Sequence, residues 1–182
     1  APLRSPPLHP SAMKQTELTP QEAYARLASY CAQAERSPSD LRRRMQRLEL
    51  EEELQAELLE RLEREGFVSG ERFARAFVHD KHRFNGWGPR RLEHELRRHG
   101  IASSVIATVL EELEEETSAE DEEPRVLQLL RTKQRSLPAG LERRKAYDRL
   151  MRFGLYRGYD YDEVREAITQ LLDTEDSDWK ED

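Results

Sequence analysis

The chain has 182 residues, of which 37% are charged and only 7% aromatic, and its formal net charge is -7. This usage is typical of exposed helices joined by short turns, and it disfavours all-β and α/β folds. No apolar run approaches the roughly 20 residues that cross a bilayer, and the start lacks the basic-then-apolar order of a signal peptide. Cys31 is the only cysteine, which excludes an internal disulfide and an internal thiolate metal cage. We therefore predict an all-α, cytoplasmic protein.

The first segment, APLRSPPLHPSAMKQ, carries four prolines and little apolar surface to bury. We expect residues 1–20 to form a flexible N-terminal arm. Beyond the arm, apolar residues recur at helical spacing between short turns. The pattern predicts helices near residues 20–34, 39–48, 51–65, 70–84, 89–99, 103–116, 122–135, 141–153 and 161–173.

These helices form three copies of one three-helix pattern. The first two copies match at a displacement of 51 residues, so that Leu41 corresponds to Leu92. For the third copy we align Gly154 with Gly100 at a displacement of 54, and the last helix at 58. This alignment places a four-residue insertion in the turn RGYD, residues 157–160.

The repeats define the predicted domain organisation. A unit of about 50 residues buries only a small core, so we expect the units to pack in series into an elongated array. Gly66 and Gly100 suit left-handed helix ends, and Ser103 is a predicted N-cap. The predicted boundaries are repeats at 21–69, 70–117 and 124–173, an acidic linker at 118–123 and an acidic tail at 174–182.

One segment of this acidic chain is strongly basic. The stretch FNGWGPRRLEHELRRHGI, residues 84–101, has four arginines within nine residues. Gly88 and Pro89 signal a helix start, and Leu92 and Leu96 define its buried stripe. At 100° per residue, the cationic side chains lie opposite that stripe; they are Arg90, Arg91, His94, Arg97 and Arg98.

The simplest interpretation of this segment is a solvated face with two ion pairs, Arg91 with Glu95 and Glu93 with Arg97. The charge distribution favours a binding surface instead, since positive charges exceed negative ones by five in 72–99 and by seven in 125–152. Such segregation is typical of proteins that meet a polyanion on one surface. We predict a partner-binding or DNA-binding surface made of Arg90, Arg91, His94, Arg97, Arg98, Arg43, Arg47, Arg144 and Lys145.

The aromatic residues of the middle repeat are predicted to be structural. Phe73, Phe77 and Phe84 have helical spacing and are expected in its core. Trp87 lies between two glycines, where it closes the core over the turn or, alternatively, offers a stacking surface to a nucleic-acid base.

Motifs for catalysis and cofactor binding are missing from the sequence. It has no phosphate-binding P-loop, no GxSxG and no HExxH, and GWGPRR lacks the third glycine and preceding strand of a dinucleotide-binding loop. His79, His82, His94 and His99 lack the spacing of a metal site. We therefore predict a binding protein with no catalytic, cofactor or metal residues.

The central motifs together resemble the RecX family, the regulators of the RecA recombinase. They lie in GFVSGERFARAFVHDKHRFNGWGPRRLEHELRRHGI, residues 66–101, and in AYARLASYCAQAERSPSDLRRRM, residues 23–45. The likeness covers about residues 21–172. Three positions depart from the family pattern: Glu49 stands at a glycine position, His99 replaces a Lys or Arg, and Ser69-Gly70 stands where acids are common.

The resemblance implies three tandem three-helix repeats in a curved protein that lies in the groove of a RecA filament on single-stranded DNA. It also implies inhibition of filament extension, ATP hydrolysis, strand exchange and LexA cleavage. The alternative from the residues is a stand-alone DNA-binding protein whose second helices enter a groove, as helix-turn-helix modules do. The negative net charge argues against that alternative, and we expect a monomer without membrane contact.

Overall fold

The computed structural model describes residues 17–178 and, for side chains, residues 17–173. This part of the chain is all-α, with nine helices and no strand. Most of the expected N-terminal arm and the end of the acidic tail, including Trp179, lie outside the described residues. The helices are α1 Pro20–Gln33, α2 Pro38–Arg47, α3 Glu52–Arg64, α4 Gly70–Asn85, α5 Pro89–Arg98, α6 Ser103–Glu120, α7 Arg125–Arg135, α8 Arg143–Tyr156 and α9 Tyr161–Asp178.

Local sequence signals fix several helix starts. Thr19 forms a capping box with Glu22 at α1, and Ser37 forms one with Asp40 at α2. In each box the cap hydroxyl and the acid side chain accept bonds from two backbone amides that the helix leaves unpaired. A proline also occupies the first turn of α1, α2 and α5, where its missing N–H costs no hydrogen bond.

Each group of three helices encloses its own core, so the three-repeat prediction is confirmed. The second helix of each group provides the central leucines or methionine, and the third helix closes the core from the other side. The fully buried residues include Leu27, Leu41, Met45 and Leu62 in the first repeat, Leu92 and Leu96 in the second, and Leu130, Leu150 and Ile168 in the third.

The same tight turn follows each second helix. It places one residue in the left-handed region, with φ of 55° at Glu49, 78° at Gly100 and 94° at Gly158. The amide of the next residue then donates to a carbonyl five residues back in all three turns; the pairs are Leu50 to Met45, Ile101 to Leu96, and Tyr159 to Gly154. Since Gly158 corresponds to Gly100, the turn and the third helix of the third copy are both displaced by 58 residues.

The alignment of Gly154 with Gly100 is therefore wrong, as is the insertion in residues 157–160. The four extra residues lie inside the third copy's second helix, because α8 has 14 residues and α5 has 10. Gly154 is buried within α8, where an added Cβ would approach the Val164 side chain to 2.7 Å. The glycine thus allows α8 and α9 to pack closely.

Three further expectations need correction. Phe84 is not a core residue, since it is 74% exposed at the end of α4. The N-cap of α6 is Ala102, and Ser103 is the first helical residue. The acidic segment 118–123 is not wholly a linker, because α6 continues to Glu120. Glutamate and alanine are strong helix formers, which explains the extension.

The three second helices are joined end to end by hydrogen bonds between repeats. The amides of Gly88 and Arg90, at the start of α5, donate to the carbonyls of Arg157 and Gly158 after α8, at 2.6 and 3.0 Å. The amide of Ser39, at the start of α2, donates to the His99 carbonyl after α5 at 3.3 Å. Each helix end therefore satisfies amides at the next helix start. Within the described residues, no helix is long and apolar enough to span a bilayer.

Candidate partner-binding surface

Each second helix carries more basic than acidic residues. The helix α2 has four basic residues and one acidic residue, α5 has four basic and two acidic residues, and α8 has five basic residues and one acidic residue. The third helices have the opposite balance: α3 has two basic and five acidic residues, and α6 has six acidic residues and no basic one. We call the predicted cations of the three joined second helices the basic row; they are Arg144 and Lys145 of α8, Arg90, Arg91, His94, Arg97 and Arg98 of α5, and Arg43 and Arg47 of α2.

The structure gives two of the predicted residues a role between repeats. Arg90 forms an exposed ion pair with Asp160 at 2.7 Å. Arg91 is half-buried; its guanidinium lies 4.0 Å from the Trp87 ring centre and 4.7 Å from that of Tyr156, and it donates to the Tyr156 carbonyl. Arg91 thus contributes to the junction of repeats two and three, and the expected Arg91–Glu95 pair is not formed.

The other predicted α5 residues remain on the solvent side of the helix. His94 is exposed. Arg97 pairs with Glu93 at 2.7 Å, as the spacing predicts, and Arg98 pairs with Glu95 at 3.3 Å. These pairs lie within one helix and stay largely exposed, so they leave the guanidinium groups accessible to an anionic partner.

The predicted residues of the outer repeats are also exposed. On α2, Arg43 pairs with Asp40 at 2.7 Å, and Arg47 lies one turn further on. On α8, Arg144 and Lys145 lie in the first helical turn, where Lys145 is 4.0 Å from Glu142. The four cations therefore extend the basic row beyond α5 at both ends.

The corrected displacement of 58 identifies two further residues of the row. Arg152 corresponds to His94 and Arg43, and it is exposed. Tyr156 corresponds to Arg98 and Arg47, and 71% of its surface is exposed. The sequence itself contains the correspondence of Arg152 and Tyr156 with α5 residues, but it is visible only when Gly158, and not Gly154, is aligned with Gly100.

Exposed aromatic rings accompany cations at the junction of repeats two and three. The Arg83 guanidinium lies 5.6 Å from the Phe84 ring centre, and Arg91 lies beside Tyr156. Arg157 donates to the Asn85 carbonyl. Aromatic faces beside guanidinium groups are the pattern on which single-stranded bases stack. Trp87 packs against the core of the middle repeat, as the structural interpretation predicts.

The described residues contain no group of three or more His, Cys, Asp or Glu side chains that could hold a metal ion. His99, one of the histidines considered above, packs against Phe73 and Phe77, with ring centres 4.9 and 5.3 Å apart. Its Nδ1 lies 3.2 Å from Oγ of the buried Ser37. The ring thus joins two repeats, a role that explains its place before Gly100.

Fold and charge together define a tandem three-helix repeat protein whose second helices are basic. A family model described as RecX, second three-helix domain, matches residues 71–110, and one described as RecX, third three-helix domain, matches residues 120–168. The regulatory protein RecX of Herbaspirillum seropedicae is 35% identical over 153 residues, which cover 84% of this chain and 93% of that protein. The chain therefore belongs to the RecX family of regulatory proteins.

Other relatives and solved structures agree. The regulatory protein RecX of Amycolatopsis mediterranei is 31% identical over 81% of this chain and 83% of its own length. That of Oceanobacillus iheyensis is 28% identical over 82% of this chain, which spans only 52% of that protein. A crystal structure of RecX from Lactobacillus salivarius shares the fold with a TM-score of 0.68 and 17% identity, covering 85% of this chain and 97% of its own.

Proposed function

We propose that this protein binds the nucleoprotein filament of a RecA-type recombinase and inhibits it. The inhibited activities would be filament extension, ATP hydrolysis, strand exchange and LexA cleavage, and the protein would act as a cytoplasmic monomer without catalysis of its own. The observation that carries the proposal is the basic row. Three second helices joined end to end each carry exposed cations, which suit the regular anionic backbone of a nucleoprotein filament.

Single-stranded DNA within the filament is the proposed anionic partner of the row. Arg47 and Arg98 occupy equivalent positions of α2 and α5, and Tyr156 occupies the same position of α8. The two guanidinium groups would contact phosphates, and the exposed ring would stack on a base. The acidic third helices lie elsewhere in each repeat and would be kept away from DNA by like-charge repulsion.

The decisive measurement is the single-stranded-DNA-dependent ATPase of a RecA recombinase with and without this protein. We expect the rate to fall at stoichiometric amounts. The variant Arg47→Ala/Arg98→Ala should lose about tenfold in inhibitory potency, the equivalent of about 1.4 kcal/mol. The matched control, Arg26→Ala/Arg64→Ala, removes the same charge from first and third helices and should inhibit normally. An ATPase rate unaffected by the wild-type protein would exclude the proposal.

Stand-alone DNA binding is the alternative function, and it can be distinguished from action on a recombinase filament. This alternative predicts tight binding to naked DNA. The net charge of -7 opposes DNA binding by surfaces other than the basic row. If the row neutralises about four phosphates of a single strand, the logarithm of affinity should fall with that of salt concentration at a slope of about -3. Strong naked-DNA binding without any effect on the recombinase would favour the alternative.

A further inference from the structure

A cleft of about 640 Å³ lies between the second and third repeats, on their acidic side. Its walls come from α6 and from the start of α9, with Pro124 and Arg125 at the start of α7. Leu110, Leu113 and Tyr159 give it an apolar lining, and the cleft is of the size that ligand sites have. No residue of the basic row lines the cleft, although Pro89 at the start of α5 does.

Carboxylates surround this apolar lining. Glu123 is paired with Arg131. Four other acids have no ion pair among the described residues; they are Glu111, Glu114, Asp121 and Glu163. The cations in the wall are engaged, since Arg125 donates to the Arg83 carbonyl and to the Gln128 side chain. His82, also in the wall, uses Nδ1 for a 3.0 Å contact with the Trp87 carbonyl.

Glu114 and Glu163 belong to different repeats and face the same space. Burial raises the pKa of Glu163; a hydrogen bond from the Asp160 amide opposes this rise, and the charges of Asp160, Glu114 and Glu166 add to it. Two repeats thus bring like charges together beside an apolar surface. A cation held between the two carboxylates would relieve their repulsion.

Two polar atoms in the wall also lack partners. The Tyr159 side chain is only 3% exposed, yet its hydroxyl has no hydrogen-bond partner among the described residues. The Nε2 atom of His82 is likewise buried without a partner. Both residues line the cleft. Buried polar atoms of this kind are rare in proteins, and each calls for a specific explanation.

We propose that the cleft binds a lysine or arginine side chain from a partner protein. Its aliphatic stem would lie on Leu110 and Leu113, and its cationic head would lie between Glu114 and Glu163. Long basic side chains combine these two surfaces, whereas nucleic acid would be repelled by the carboxylates. This proposal is independent of the proposed action on a recombinase, because the cleft is acidic and lies mainly on α6 and α9, whereas the basic row lies on α2, α5 and α8.

The test uses the full chain and a short probe peptide, acetyl-Leu-Arg-Leu-amide, with binding followed by amide chemical shifts in NMR. The matched probe replaces arginine with citrulline, which is neutral and of nearly the same shape. We expect shifts at Thr117, Tyr159 and Glu163, and at least about fivefold tighter binding of the arginine peptide. Equal affinity for the two peptides would overturn the proposal.

Two variants locate the binding. Glu114→Gln/Glu163→Gln should weaken binding of the arginine peptide about fivefold. Glu60→Gln/Glu115→Gln changes the net charge equally outside the cleft and should bind as the wild type does. An equal loss in both variants would overturn the proposal, since it would show attraction by overall charge. Tyr159→Phe removes only the unpartnered hydroxyl; it should keep the melting temperature and weaken binding, and undiminished binding would refute a role for the hydroxyl.

Discussion

The two junctions between repeats occupy equivalent places and are built differently. At the junction of repeats one and two, side chains add to the backbone bond from the Ser39 amide to the His99 carbonyl: Ser37 meets His99, and the Ser39 hydroxyl donates to the Arg98 carbonyl at 3.2 Å. At the junction of repeats two and three, Gly88 takes the place of Ser37 and two backbones touch directly. The difference shows that the equivalent position of the repeat accepts either a buried side-chain contact or the close approach of two backbones, depending on whether a Cβ is present.

The largest effect should come from Gly158→Ala. An added Cβ would lie 2.5 Å from the Arg91 backbone nitrogen, and φ is 94°. We expect a loss of about 2–4 kcal/mol in the free energy of unfolding, measured by urea denaturation with circular dichroism, from left-handed strain plus the clash. Gly66→Ala is the matched control, because φ is 79° and no atom lies within 4 Å. It should lose only about 1 kcal/mol.

Gly100→Ala sharpens the same comparison at the other junction. Its Cβ would meet the Ser39 hydroxyl at 3.0 Å, and a serine side chain can rotate away whereas a backbone cannot. The loss should be near that of Gly66→Ala, about 1 kcal/mol. A loss equal to that of Gly158→Ala would show that both junctions are equally rigid and would contradict the difference between them.

Ser37→Ala tests the side-chain junction. Ser37 is fully buried; its hydroxyl accepts from the Asp40 amide at 3.1 Å and contacts His99. Removing it should cost about 1–2 kcal/mol, through the lost helix cap and the unpaired imidazole. The same denaturation measurement applies, with Thr19→Ala as a control that removes a cap away from any junction. If the two losses are equal, the contact with His99 contributes nothing.

Asp40→Asn should make stability at low pH less dependent on pH. Burial alone would raise the pKa of Asp40, but bonds from the Ser37 amide and hydroxyl and from Arg43 outweigh burial and lower it below 3.8. A lowered pKa gives stability that is complete above the unfolded value and is lost as pH falls through the folded value. Melting temperatures between pH 5 and 2 should therefore fall less steeply in the variant; parallel curves would contradict the assignment.

The smallest effect should be that of Glu49→Gly. Glu49 has the left-handed φ that glycine has in the other two turns, and its side chain is exposed. Glycine would relieve strain, while the more flexible unfolded chain offsets part of the gain, so we expect a change within about 0.5 kcal/mol. A larger loss would show that Glu49 makes a contact of its own.

Most of the fold could be predicted from the sequence, whereas the candidate partner-binding surface could be predicted only in part. Prolines, caps and leucine spacing are local signals, so the helix bounds agree closely. Phe84 was mispredicted because helical spacing does not reveal where a helix leaves its core. Arg91 and Arg97 have the same side chain on one helix, yet a neighbouring repeat covers only Arg91. The acidic cleft has no sequence signature, since its acids come from two repeats.

The sequence by itself determined the three helical units, the left-handed helix ends at Gly66 and Gly100, and the separation of charge between second and third helices. These depend on contacts within a few turns of the chain and on the hydrophobic period. Only the tertiary structure decided the register of the third copy, the end-to-end joining of α8, α5 and α2, and the facing of Glu114 and Glu163. The reason is physical: such contacts join residues about 50 to 70 positions apart, and no local preference specifies them.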